Sequence, residues 1–217
     1  MRMVLAVLLA ACGLAVAPPA AADPQNCPPA CDRIPEAAWI SPWAIPLNPR
    51  YVWPRLPGLA VTAPSPRFRF EDLCASPPVP ADPRGYAVAE RATVANPDGQ
   101  WQLQAQVVHW RGETWRGGQL AEDVFNAAVT ALRACQRTSP GQSPSLTVLG
   151  PDRMAAVVSG PMILHQYLVA NPANSTITEL ALWSSSPPLT PWPSPSDETV
   201  LDTLGAPLCT AYIGSCP

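Results

Sequence analysis

Apolar and polar positions alternate most clearly over Trp101–Val107, where Trp101, Leu103, Ala105 and Val107 are separated by Gln102, Gln104 and Gln106. A period of two marks a strand with one face buried. Upstream, Tyr86, Val88, Ala92 and Val94 form a second extended run, and Asn96-Pro97-Asp98-Gly99 between the two supplies turn chemistry. Together they predict an antiparallel hairpin. Gly117-Gly118 is expected to end the extended stretch. The period then lengthens: Leu120, Val124, Ala128, Ala131, Leu132 and Cys135 recur every three or four residues, which predicts a helix over 119–137. Glu122 and Asp123 near its start and Arg133 and Arg137 near its end suit the helix dipole. Four further strands are expected at Ser145–Leu149, Met154–Ser159, Met162–Val169 and Thr176–Ser184, divided by Gly/Pro/Asn turns. After a Pro-rich link, Pro187–Pro195, a last helix is expected behind Ser196, with Val200, Leu201 and Leu204 on one side. This order predicts an α+β fold: an antiparallel β-sheet with helices packed on one face, stapled by disulfides.

The remainder of the chain divides into two stretches. Residues 1–22 have the form of a secretory leader: Arg2, an apolar run Val4–Val16, and small residues at Ala20 and Ala22 before Asp23. The run is too short to span a bilayer, and no later stretch is long and apolar enough to do so. Leu9-Ala10-Ala11-Cys12 also has lipobox form, so a lipid anchor through Cys12 is the alternative to full secretion. Residues 23–84 carry a proline about every fourth position, interleaved with Trp39, Trp43, Tyr51 and Trp53. Proline at that density excludes long helices and central strands, while the aromatics argue against disorder. An extended wrap over the core domain 85–217 is expected, the two making one folding unit. Arg67–Cys74 is expected to be one short strand or helical turn within the wrap.

Without the leader the cysteines are Cys27, Cys31, Cys74, Cys135, Cys209 and Cys216, an even set that implies a disulfide framework in an oxidising compartment. Local loops at Cys27–Cys31 and Cys209–Cys216 would leave Cys74–Cys135 as the long bridge; a terminal segment tied to the other terminus is equally allowed. No metal is expected, since the set contains no C-x2-C and His109 and His165 are isolated.

Composition narrows the function. There is no lysine, which excludes Schiff-base, Ser-Lys and P-loop chemistry. The formal net charge is −3 and basic residues do not cluster, so nucleic-acid binding lacks its electrostatic footprint. No G-x-S-x-G is present. The adjacent carboxylates Glu71-Asp72, Glu122-Asp123 and Asp197-Glu198 are mostly accounted for by helix starts. A hydrolase would have to use His109 or His165, which otherwise read as strand histidines. The indoles are numerous: Trp101, Trp110 and Trp115, with Arg111 and Arg116 beside them, are the candidate ligand-binding residues, suited to a glycan, a lipid headgroup or a peptide.

The exported leader, the helix with its late cysteine (Val124 to Cys135) and the meander Leu146–Trp183 resemble the extracellular sensor domain of the mycobacterial kinase PknH and the secreted proteins and lipoproteins that share it. The resemblance covers roughly residues 85–212. It implies a disulfide-stapled antiparallel sheet with a ligand cleft and no catalytic residues. The expected function is thus a secreted, non-enzymatic binding or sensor-like domain of the bacterial cell envelope, with no cofactor. The alternatives are a small secreted hydrolase and an envelope structural or interaction protein.

Overall fold

The computed structural model describes residues 33–212. The leader with Cys12, and Cys27, Cys31 and Cys216, lie outside the described residues. The core is a seven-stranded, wholly antiparallel sheet in the order β1-β2-β3-β7-β6-β5-β4. Its strands are β1 (Val61–Thr62), β2 (Val88–Val94), β3 (Gln102–His109), β4 (Ser143–Leu149), β5 (Arg153–Ser159), β6 (Met162–Asn171) and β7 (Thr176–Ser185). The predicted hairpin is β2–β3. Its turn is held by Asn96, whose amide donates to the Trp101 carbonyl (2.6 Å) and whose backbone N–H donates to Gln102 Oε1 (2.7 Å). The four later strands form the expected meander β4–β7. Between hairpin and meander, α3 (Thr114–Thr138) carries the chain across the sheet to its far edge, and the meander returns until β7 pairs with β3.

Pleating sorts the side chains into two clusters. On one face Ala89, Val108, Leu164, Leu168, Ile177 and Ala181 meet Val124, Phe125, Ala128, Val129 and Leu132 of α3. On the other, Leu103, Ala105, Val107, Tyr167, Val169, Leu180 and Leu182 meet α4 (Asp197–Ala211) through Val200, Leu201, Leu204 and Leu208. The α+β class and the antiparallel sheet are as expected. The cover is fuller than one face of helices, because α4 and the Pro/Trp segment close the second.

That segment is ordered over its described length as short 3-10 turns and one helical turn, α1 (Asn48–Tyr51). It seats Trp39, Ile40, Ile45, Leu47, Trp53 and Leu56 in the α4-side cluster. Each such side chain contributes roughly 1.5–3 kcal/mol on burial. Trp53 stacks on Tyr51 at 4.8 Å and donates to the Pro46 carbonyl at 2.8 Å. At β1, a short edge strand that the pattern did not predict, the segment pairs with β2 and rounds the sheet edge. It then delivers Phe68, Phe70 and Cys74 to the α3 face through α2 (Arg69–Leu73). Cys74 is bonded to Cys135 of α3, the long bridge of the sequence reading. Cys209 is also disulfide-bonded, with its partner outside the described residues.

One boundary differs from expectation. Gly117-Gly118 does not precede the helix but lies inside its first turns. A Cβ on Gly118 would sit 2.5 Å from the Pro172 carbonyl oxygen, and one on Gly117 would collide with the Ser175 side chain. The glycines are there for close approach of α3 to the β6–β7 turn, not to break the helix.

Two substitutions test this framework. Cys135→Ala opens a loop with a sequence separation of 61 and is expected to lower unfolding free energy by about 4 kcal/mol under non-reducing conditions; a denaturant midpoint equal to the wild type would refute a stabilising bridge. Gly118→Ala is expected to cost about 1–3 kcal/mol by overpacking, whereas a gain, as for an open helical glycine, would show that the contact yields freely.

Candidate functional site

The site that the fold builds is a groove of about 660 Å³ on the α3 side of the sheet. One wall is α3, from Asp123 to Thr138, with Ala127, Ala131 and Ala134 facing the gap. The other wall is the loop from Ser76 to Arg84, which carries Pro77, Pro78, Val79, Pro80 and Pro83. Phe68 and Glu71 lie between them. Ala131 belongs to the apolar stripe of the helix, yet it is only half-buried at the edge of the α3-side cluster. The volume is within the usual range for a small-molecule pocket.

Several contacts hold the loop in place. The Cys74–Cys135 bond joins the end of α2 to the last turns of α3. Beside it, the Thr138 hydroxyl donates to the Cys74 carbonyl at 2.6 Å, and Arg67 Nη2 donates to the Ser76 carbonyl at 2.8 Å. At the far end of the loop, Arg84 is buried and donates to both oxygens of Glu71, at 2.6 and 3.0 Å, and to Asp82 at 2.6 Å. Its guanidinium lies 4.9 Å from the Phe68 ring centroid. Burial opposes charge on Arg84, but the bonds from Glu71 and Asp82 outweigh it and raise its pKa. Burial would likewise raise the Asp82 carboxyl; the Arg84 bonds prevail and hold it below its usual value. Removing one partner from such a cluster leaves a buried charge uncompensated, at a cost of about 3–5 kcal/mol. Trp110 braces the same loop by donating to the Pro83 carbonyl at 2.9 Å.

Beneath α2 the sheet itself is polar. Glu179 of β7 is fully buried and accepts from the Arg69 N–H (2.6 Å), Gln104 Nε2 (2.9 Å) and Gln166 Nε2 (3.1 Å). Gln166 Oε1 accepts the Phe70 N–H at 3.3 Å. Two strands, β6 and β7, thus present acceptors to the first N–H groups of α2, which no turn of helix precedes to satisfy, and β3 steadies Glu179 through Gln104. Burial pushes the Glu179 carboxyl up to about 7, against the pull of these donors.

The indole–arginine platform does not assemble. Trp101 and Trp110 are core residues on opposite faces of the sheet, Trp101 with its Nε1 donating to the Thr190 carbonyl at 2.8 Å. Sequence gives the number of indoles but not their depth, and Trp101 and Trp110, which flank the interior strand β3, are both absorbed by packing. Trp115 is exposed, bonded to Glu113 at 2.8 Å, with the Arg116 guanidinium 5.5 Å from its ring; Arg111 is exposed nearby in sequence. None of the five lines the groove.

The histidines sit elsewhere too. His165 is buried on the α4 face, stacked on Trp192 at 3.6 Å, and neither ring nitrogen has a hydrogen-bond partner. Burial lowers its pKa to about 4, with Asp197 opposing. His109 stacks on Tyr212 at 4.6 Å and lies 3.0 Å from the Thr176 hydroxyl through Nδ1; burial lowers its pKa. That hydroxyl also lies 3.0 Å from the Asn174 carbonyl oxygen, to which it can donate. His165 thus has no hydrogen-bonded hydroxyl or thiol to act on, and the hydroxyl beside His109 is that of the buried Thr176. Among the described residues, no group of three His, Cys, Asp or Glu is arranged to hold a metal, and no helix is long and apolar enough to cross a membrane.

His165 and Glu179 make opposite contributions to pH dependence. The imidazole titrates near 4 folded against an ordinary 6.5, so its contribution is complete above about pH 6.5 and is lost as pH falls towards 4. The carboxyl titrates near 7 folded against 4.5, so its contribution is complete below about pH 4.5 and is lost as pH rises through 7. His165→Leu is therefore expected to raise the melting temperature at about pH 4.5 relative to about pH 7.5, and Glu179→Gln to do the reverse. Parallel melting profiles for wild type and both variants would contradict these assignments.

No family model matches the chain, and no curated protein and no solved structure matches it either, so the reading of the groove rests on its own geometry.

Proposed function

We propose that this chain is an exported, non-enzymatic binding or sensor-like domain of the bacterial cell envelope that holds an apolar ligand in the α3 groove. The observation that carries this reading is a preformed gap whose walls are apolar and whose loop is anchored at both ends, by the Cys74–Cys135 bond and by the Arg84–Glu71–Asp82 cluster. A surface loop held this firmly loses little entropy on binding, which favours affinity. Two of the groove's carboxylates, Glu71 and Asp82, are engaged by the Arg84 guanidinium, an arrangement suited to holding structure rather than to moving protons. Export is supported by the leader pattern and by the sulfur pairs, which persist in oxidising compartments. The resemblance of the strand and helix layout to PknH-type sensor domains points to the same class.

The test is a neutral apolar fluorophore, phenylnaphthylamine, titrated into the purified oxidised protein. Saturable binding is expected, and Ala127→Trp should weaken it at least ten-fold. Ala127 is exposed on α3, so the added indole fills the gap without entering the core. An unchanged melting temperature would establish that the variant is folded. Absence of saturable binding, or equal binding by the folded variant, would refute the reading.

A further inference from the structure

Resting on the groove as a binding site, we infer that its ligand is a single-chain amphiphile with an uncharged or cationic head: the hydrocarbon lies along the alanine wall and the head group lies by Ser76.

The walls determine the body of the ligand. The backbone of α3 is satisfied within the helix, and its groove-facing side chains between Asp123 and Thr138 are mostly alanine. The facing loop has prolines at four of its positions, which have no N–H to offer. A peptide or glycan lying in this gap would bury amides or hydroxyls with almost nothing to bond them, and unpaired buried polar groups oppose binding. A methylene chain has no such groups, and every one of its carbons gains by leaving water. The wall is also long. Asp123 to Thr138 spans about four turns of helix, roughly 20 Å. An extended chain fits such a length; a compact ligand leaves most of it empty.

Charge determines the head. The ionisable lining residues are Glu71, Asp82, Asp123 and Arg84. Arg84 is bonded by both Glu71 and Asp82, and Arg67, which reaches the Ser76 carbonyl, is paired with Asp72 at 3.4 Å, so each nearby cation is already matched by a carboxylate and the charge left over on the lining is negative. A carboxylate head would enter against that field, and an ammonium would enter with it. The remaining feature is Ser76. It lines the groove at 7% exposure, and its hydroxyl has no hydrogen-bond partner. Buried hydroxyls in folded proteins are nearly always bonded, and an alcohol or ammonium head supplies the missing partner.

Displacement of phenylnaphthylamine by three probes of equal chain length, dodecylamine, dodecanol and laurate, tests the inference below their micelle concentrations. The amine and the alcohol are expected to displace at concentrations at least ten-fold lower than laurate. Ser76→Ala should weaken the amine and the alcohol several-fold more than it weakens phenylnaphthylamine. If laurate displaces as well as the amine, the assignment of the head group fails while the groove stands. If an extended Pro/Ala peptide displaces better than all three, the assignment of the chain fails. If Ala127→Trp does not block phenylnaphthylamine, the groove itself is not the site, and the inference falls with it.

Discussion

The β3–β7 ladder is the pairing on which the remaining structure depends. It joins Gln102–His109 to residues some seventy positions later, and it alone connects the hairpin to the meander within one sheet. Closing so large a loop is entropically costly before any contact compensates it. The compensation comes from what the closure creates: a wide sheet with two apolar faces, each able to bury a helix. α3 lies on one face because it must carry the chain across to β4. α4 and the Pro/Trp segment occupy the other because its apolar side chains would otherwise face water.

The same ladder brings Gln104 opposite Ala181 and Gln106 opposite Glu179, and β6 adds Gln166 beside them. Most groups of this polar island are bonded, as burial favours; Gln106 Oε1 accepts from Arg91 Nε at 2.9 Å, while its Nε2 has no partner. Here Glu179 and Gln166 are turned to use, because they receive the first N–H groups of α2. The helix so placed holds Phe68 and Glu71 beneath the groove, and Glu71 holds Arg84, which closes the loop. A chain of specific bonds therefore runs from the middle of the sheet to the rim of the groove. The apolar gap is what remains when polar and covalent ties hold a proline loop away from a helix whose facing residues are too small to fill the space.

Much of the scaffold was legible in the pattern of residues, for local reasons. The period-two run at Trp101–Val107 and the three-and-four spacing from Leu120 to Cys135 depend only on which side of one element meets the core, and both were realised as strand and helix. The Gly117-Gly118 boundary was misplaced because glycine reads as a breaker unless a neighbour is known to approach, and that neighbour, the 172–175 turn, lies over fifty residues away. The indoles misled for a related reason: the sequence shows that Trp101 and Trp110 are large and amphipathic, but not that Thr190 and Pro83 supply carbonyls to their N–H groups inside the core.

By itself, then, the order of residues determined the α+β class and the succession of hairpin, helix and meander, because periodicity and turn chemistry act within single elements. Only the tertiary structure decided that the second face is closed, that Cys74 meets Cys135, and that Ala131 and Pro80 face one another across a gap. Those outcomes depend on distances between segments that share no local signal, and small residues mark a cavity only when their surroundings leave it open.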